Sequence, residues 1–136
     1  MDNSGVRGQV GKSWVRGTLD ELESTLGPER AASLVGKMMA VIPAGYDELN
    51  WPKTAALDLP IVDRLSHPGG DDMATAMIQF VEEDADVWRF RVYRRGDKIA
   101  LADLLPLLDQ LGFRALDERS FPFEVNDDVT VWLHDV

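Results

Sequence analysis

The hydrophobic period of this chain changes at one loop, and that change limits its folding options more than any other feature. Before the loop "SHPGGDD", Ser66 to Asp72, apolar residues recur every third or fourth position; in the two segments that follow it they recur every second. A helical part followed by a strand-rich part is therefore expected, with the loop as the boundary.

Residues 1–12 are polar, Gly-containing and aperiodic, and read as a flexible lead-in. Residues 13–66 read as a helical segment. Val15, Leu19, Leu22 and Leu26 fall on one helical face, and Thr18 to Glu21 spells a capping-box pattern. Gly27 ends that helix and Pro28 opens the next, whose stripe of Leu34, Val35, Met38, Met39 and Ile42 stops at Pro43. The Met pair reads as core packing. A turn near Asn50 and Pro52 leads into a third helix over 53–65, with Ala56, Leu59, Val62 and Leu65 inward and a kink or restart at Pro60.

Beyond the loop, "ATAMIQFVEE" and "DVWRFRVYRR" alternate as strands joined by the polar connection "EDAD". Trp88, Phe90 and Val92 share one face; Arg89, Arg91 and Tyr93 share the other, which is expected to be exposed. After the turn "RRGDKIA", Leu101, Leu104, Leu105, Leu108 and Leu111 predict an amphipathic helix ended by Gly112, with Pro106 near its first turn. "FRALDERSFPFEV" and "VTVWLHDV" complete the chain as two further strands, the first broken near Pro122. Residues 73–136, taken with the helix at 53–65, give the order αββαββ. That order is an α+β class, resembling a ferredoxin-like sandwich with helices on one face of an antiparallel sheet and the last strand where the first normally sits.

Composition narrows the function. A chain of 136 residues with 45% hydrophobic content suits one compact domain, or a small domain with an added helical segment. A net charge of −10 opposes nucleic-acid binding, and the basic run "RFRVYRRGDK" is accounted for by a solvated strand face. The absence of cysteine removes disulfides, thiolate metal sites and cysteine nucleophiles. No apolar run approaches the ~18 residues a membrane span requires, and the N-terminus lacks the apolar core of a signal peptide, so a cytoplasmic location is expected.

Candidate chemistry is sparse. Adjacent on a strand, Asp117 and Glu118 point to opposite faces and form no acid–base pair, whereas Asp117 and Arg119 share a face as a salt bridge would. His67 and His134 fit no metal-ligand spacing and read as exposed or locally bonded. "GKS" at Gly11 to Ser13 lacks the earlier glycine of a phosphate loop, Val6 standing in its place, and no G-x-S-x-G elbow occurs. No catalytic, cofactor-binding or metal-binding residue is assigned.

The stretch "FRVYRRGDKIALADLLPLLDQLGFRALDERSF" resembles a passage of the large bacterial NAD-specific glutamate dehydrogenases. That family has a basic strand, a Gly turn, an L-S-D-x-L-P-x-L-E helix and a D-E-R-P-Y motif. The closing "VTVWLHDV" is similar to its V-W-I-H-D-F, and Ile42, Pro43, Tyr46, Ala55 and Asp58 occupy positions of its F-P-x-x-Y and A-x-x-D-I motifs. Ala102 stands where the family carries a helix-capping Ser, leaving that terminus to Asp103 or water; Ser120 and Phe121 replace its Pro-Tyr, and Val136 replaces an aromatic.

The resemblance implies a fragment of a much longer enzyme, an ACT-like module from its N-terminal portion. Such modules are associated with amino-acid sensing and subunit contacts. NAD and glutamate would be handled elsewhere in the parent, whose reaction is L-glutamate, NAD and water to 2-oxoglutarate, ammonium and NADH. Neighbouring domains and subunits would be the partners, with no membrane or nucleic acid. For an amino-acid effector, the place implied is the turn Arg94, Arg95, Gly96 and Asp97, where donors at a helix N-terminus could hold a carboxylate. Two alternatives stand beside it: an exposed turn without ligand, and a purely architectural module.

Overall fold

A computed structural model describes residues 11–67, 69–79, 88–112 and 118–136. Most of the lead-in, the "EDAD" connection and Asp117 lie outside them. Helix α1 spans Lys12–Leu26 and α2 spans Pro28–Met38, separated by Gly27 at φ 87°. That positive φ suits only glycine well, and it lets the chain reverse between two packed helices. Thr18 does not cap: it lies inside α1, buried, and its hydroxyl donates to the Trp14 carbonyl at 2.9 Å. A 3-10 turn, Met39–Val41, carries the apolar stripe on to Ile42, and a short helix α3, Tyr46–Leu49, occupies the expected turn.

Helix α4 runs Pro52–Ser66 with Pro60 inside it. The expected restart is absent. Pro60 removes one helical donor, but Leu59, Val62 and Leu65 are fully buried on the inward face and hold the helix as one piece.

The strands are β1 (Met73–Ile78), β2 (Arg89–Arg95), β3 (Arg119–Asn126) and β4 (Val129–Asp135), with helix α5 (Leu101–Gln110) between β2 and β3. They form one four-stranded sheet, β1-β2-β4-β3, with every pairing antiparallel. The last strand is thus interior, as the sequence order requires. Pro106 sits beyond the first turn of α5, and the Ala102 carbonyl that loses its donor is on an exposed residue, where water can serve it.

Register fixes the faces. Tyr93 pairs with Leu133, which pairs with Phe121, and these side chains join Leu22, Met38, Tyr46, Leu59 and Leu65 in one core. The helical segment and the sheet therefore share a core. Val92 and Phe90, pointing the other way, pack with Ile99, Leu104, Leu108 and Val136. The α+β antiparallel sheet is as expected, and its helices are divided: α4 lies on one face and α5 on the other. One consequence is a correction. Arg89 and Arg91 do not face solvent; they are 4% and 0% exposed, because the face they share with Tyr93 is the one α4 covers.

Candidate functional site

The inward stripe of α4 contains one charged residue. Asp58 is fully buried beside Ala55, Leu59 and Val62, where only dense hydrogen bonding makes a carboxylate tolerable. That bonding is present. Arg91 donates from Nε to Oδ1 at 3.1 Å and from Nη2 to Oδ2 at 2.6 Å, a bidentate fork across 33 residues. The Tyr93 hydroxyl donates to Oδ1 at 2.5 Å, and the Tyr46 hydroxyl donates to Oδ2.

Local structure places each partner. Gly45, at φ 84°, turns the chain into α3 so that Tyr46 enters the core, where it meets Trp14, Phe121 and Phe123 edge-on. Asn50, just past α3, donates to the Tyr46 carbonyl at 2.9 Å and accepts from Arg91 Nη2 at 3.1 Å. Strand alternation brings Arg89, Arg91 and Tyr93 to the same face.

A second carboxylate extends the cluster. Asp135, at the end of β4 and opposite Arg91 in register, takes a bidentate hold from Arg89 with Nη2 at 2.7 Å from Oδ2. Arg119 Nη2 lies 3.3 Å from the same oxygen, and Arg91 Nη1 lies 3.1 Å from Oδ1 as an ion pair out of line for a hydrogen bond. Two carboxylates and three guanidiniums thus tie α3, α4, β2, β3 and β4 together.

Burial and charge act on these groups in opposing ways. Burial first, then Asp58, pushes the phenols of Tyr46 and Tyr93 well above the usual tyrosine range, so both remain donors. For Arg91, burial opposes the charge, but Asp58 and Asp135 outweigh it and hold the guanidinium firmly protonated. His134, buried on the opposite face, is pushed below the usual histidine range by burial, against the pull of Glu118. Its Nε2 accepts from the Ile99 N–H at 3.1 Å, which assigns the proton to Nδ1, 3.6 Å from Glu118 Oε2.

The turn Arg94–Asp97 is elsewhere and open. Arg95 donates from Nη1 to the carbonyls of Leu65 and His67 at 2.9 and 2.8 Å, serving the C-terminal end of α4. Gly96, at φ 104°, donates its N–H to Thr130 at 2.8 Å, and the Arg95 N–H goes to Asp72. Arg94 is half-buried opposite Trp132, and Asp97 is exposed. His67 is exposed, its Nε2 3.7 Å from Asp63. Among the described residues, no group of three His, Asp or Glu is placed for a metal, and no helix is long and apolar enough to cross a membrane.

Nor do these residues fit a dinucleotide. The sheet is antiparallel, so it lacks the crevice at parallel strand ends where such cofactors lie. Asp103 occupies the first turn of α5, where a pyrophosphate would meet its charge.

Residues 72–136 match the family described as "Glutamate dehydrogenase, ACT3 domain". The match covers the strand-rich part of the chain, just under half of its length. The NAD-specific glutamate dehydrogenase of Halomonas elongata is 30% identical over 128 residues, covering 93% of this chain and 8% of the relative. That of Pseudomonas aeruginosa is 25% identical over 127 residues, with the same coverage of 93% and 8%. The chain fits a fragment of a large NAD-specific glutamate dehydrogenase, and it spans about 8% of the length of these relatives.

Proposed function

We propose that residues 73–136, with the helical segment 13–66 packed on them, serve as a non-catalytic regulatory or structural ACT-like domain of an NAD-dependent glutamate dehydrogenase. In that reading, oxidation of glutamate to 2-oxoglutarate with NAD belongs to residues outside this chain. One observation supports it above the rest: the clustered charged groups of the domain, Asp58, Asp135, Arg89 and Arg91, are buried against one another rather than presented to a substrate. Interlocked in this way, these groups can pass on a displacement between the helical segment and the sheet. A cytoplasmic setting belongs to the same proposal.

The architectural form of this reading is favoured by the turn Arg94–Asp97. Arg95 and the Gly96 N–H are already engaged within the domain, which leaves Arg94 and Asp97 as the outward side chains to meet an effector or a neighbouring domain. Thermal unfolding of the 136-residue chain with a panel of amino acids at millimolar concentration separates the two forms. An architectural domain gives no shift. A raised midpoint that is lost in R94Q establishes an effector site at the turn. NAD-linked turnover of glutamate by the chain alone overturns the non-catalytic reading.

A further inference from the structure

Away from the buried cluster, a groove lies between α2 and α4. Its volume is about 580 Å³, within the range that small ligands fill. Leu26, Leu34 and Ile61 give it an apolar lining, and Arg30, Ser33 and Arg64 give it a polar one. Lys37, also lining it, is neutralised by Asp63 across the groove at 2.5 Å.

The two arginines are the unusual part. Arg30 and Arg64 are exposed and have no ion pair or side-chain hydrogen bond among the described residues, in a chain whose net charge is −10. In so acidic a protein, surface arginines can readily find a carboxylate. Two left unpaired on opposite helices of one groove make a local cationic spot beside apolar surface. Guanidinium forks match carboxylate and phosphate oxygens, and the Ser33 hydroxyl, one turn from Arg30, adds a donor.

We propose that this groove binds a small organic oxyanion, a carboxylate or phosphate carried on an apolar body. The head group sits with Arg30, Arg64 and Ser33; the body covers Leu26 and Ile61. The site is separate from the Arg94–Asp97 turn and does not depend on the reading of the parent enzyme.

The test is an amide NMR titration of the 136-residue chain with phenyl phosphate, phenylacetate and inorganic phosphate at fixed ionic strength. One or both aromatic anions should shift Ser33, Leu34, Ile61 and Arg64 saturably, and the tighter of the two identifies the head group. Inorganic phosphate, without an apolar body, should bind roughly tenfold or more weakly. R30Q and R64Q should each weaken binding roughly tenfold, with no change in thermal midpoint because both side chains are exposed. Scattered or unsaturable shifts overturn the proposal, as does equal binding of inorganic phosphate or unchanged affinity in both variants. Shifts with a hexaglutamate peptide but with neither aromatic anion overturn it too, marking the groove as a protein-docking surface.

Discussion

Arg91 Nη2 lies 2.6 Å from Asp58 Oδ2, joining the sheet to the helical segment through two fully buried charges. Around this pair the two tyrosines and Asn50 add hydrogen bonds and Asp135 adds a second ion pair, the kind of surroundings that make a buried ion pair tolerable. A fork of this kind has one productive geometry. It therefore fixes how α4 sits on the sheet more tightly than apolar packing alone would.

The tyrosines report on this arrangement directly, because the chain contains two and both donate to Asp58. Their phenols are raised in the folded state above the ordinary 10.0. The stability they contribute is complete below pH 10 and is lost as pH rises beyond it, since the unfolded chain ionises first. In an ultraviolet titration, tyrosinate absorbance should stay absent at pH 10 to 11 and appear together with unfolding. Gradual ionisation near pH 10 with the fold intact contradicts the buried cluster.

His134 gives the opposite pH dependence. Its folded pKa lies below the ordinary 6.5, held down by burial, Lys98 and Arg94 against the pull of Glu118. The unfolded chain thus binds the proton more readily, and the contribution present above pH 6.5 is lost as pH falls below it. Protonation also removes the acceptor used by the Ile99 N–H at the entry to α5. Urea midpoints measured from pH 8 down to pH 5 should fall, and H134Q should flatten that slope. An equal slope in the variant contradicts the assignment.

Two glycines on helices should respond with opposite signs. A Cβ at Gly17 in α1 would stand 2.9 Å from Pro52 Cγ, on a ring that cannot turn aside. Gly17→Ala is expected to destabilise, overpacking of roughly 1–3 kcal/mol exceeding the helix-propensity gain of about 1 kcal/mol. Gly36 in α2 has nothing within 4 Å of such a Cβ, so Gly36→Ala should stabilise by roughly 0.5–1 kcal/mol. Equilibrium urea unfolding of the two variants checks both signs.

Much of the fold was legible because its determinants are local. The change of period at Ser66–Asp72 marks where helices give way to strands, and the order αββαββ places β4 inside the sheet. The buried cluster was harder to read. Alternation in "RFRVY" separates Arg89, Arg91 and Tyr93 from Phe90 and Val92, but it does not say which face meets water; that depends on α4, which the strand pattern does not contain. A signal was nevertheless present in α4. Asp58 is in helical phase with Val62 and Leu65, and a charge on an inward stripe calls for a buried partner. Motif resemblance singled out Tyr46, Asp58, Arg119, His134 and Asp135 by position, and the fold brings Tyr46 to Asp58 and Arg119 to Asp135.

The most direct test is a double-mutant cycle on Asp58 and Arg91 by urea unfolding, using Asp58→Asn and Arg91→Met. Each single change strands a buried charge and should destabilise by roughly 3–5 kcal/mol, and the double variant should lose far less than the sum. Independent losses that add within about 0.5 kcal/mol, or single losses below about 1 kcal/mol, contradict a domain held together through this pair.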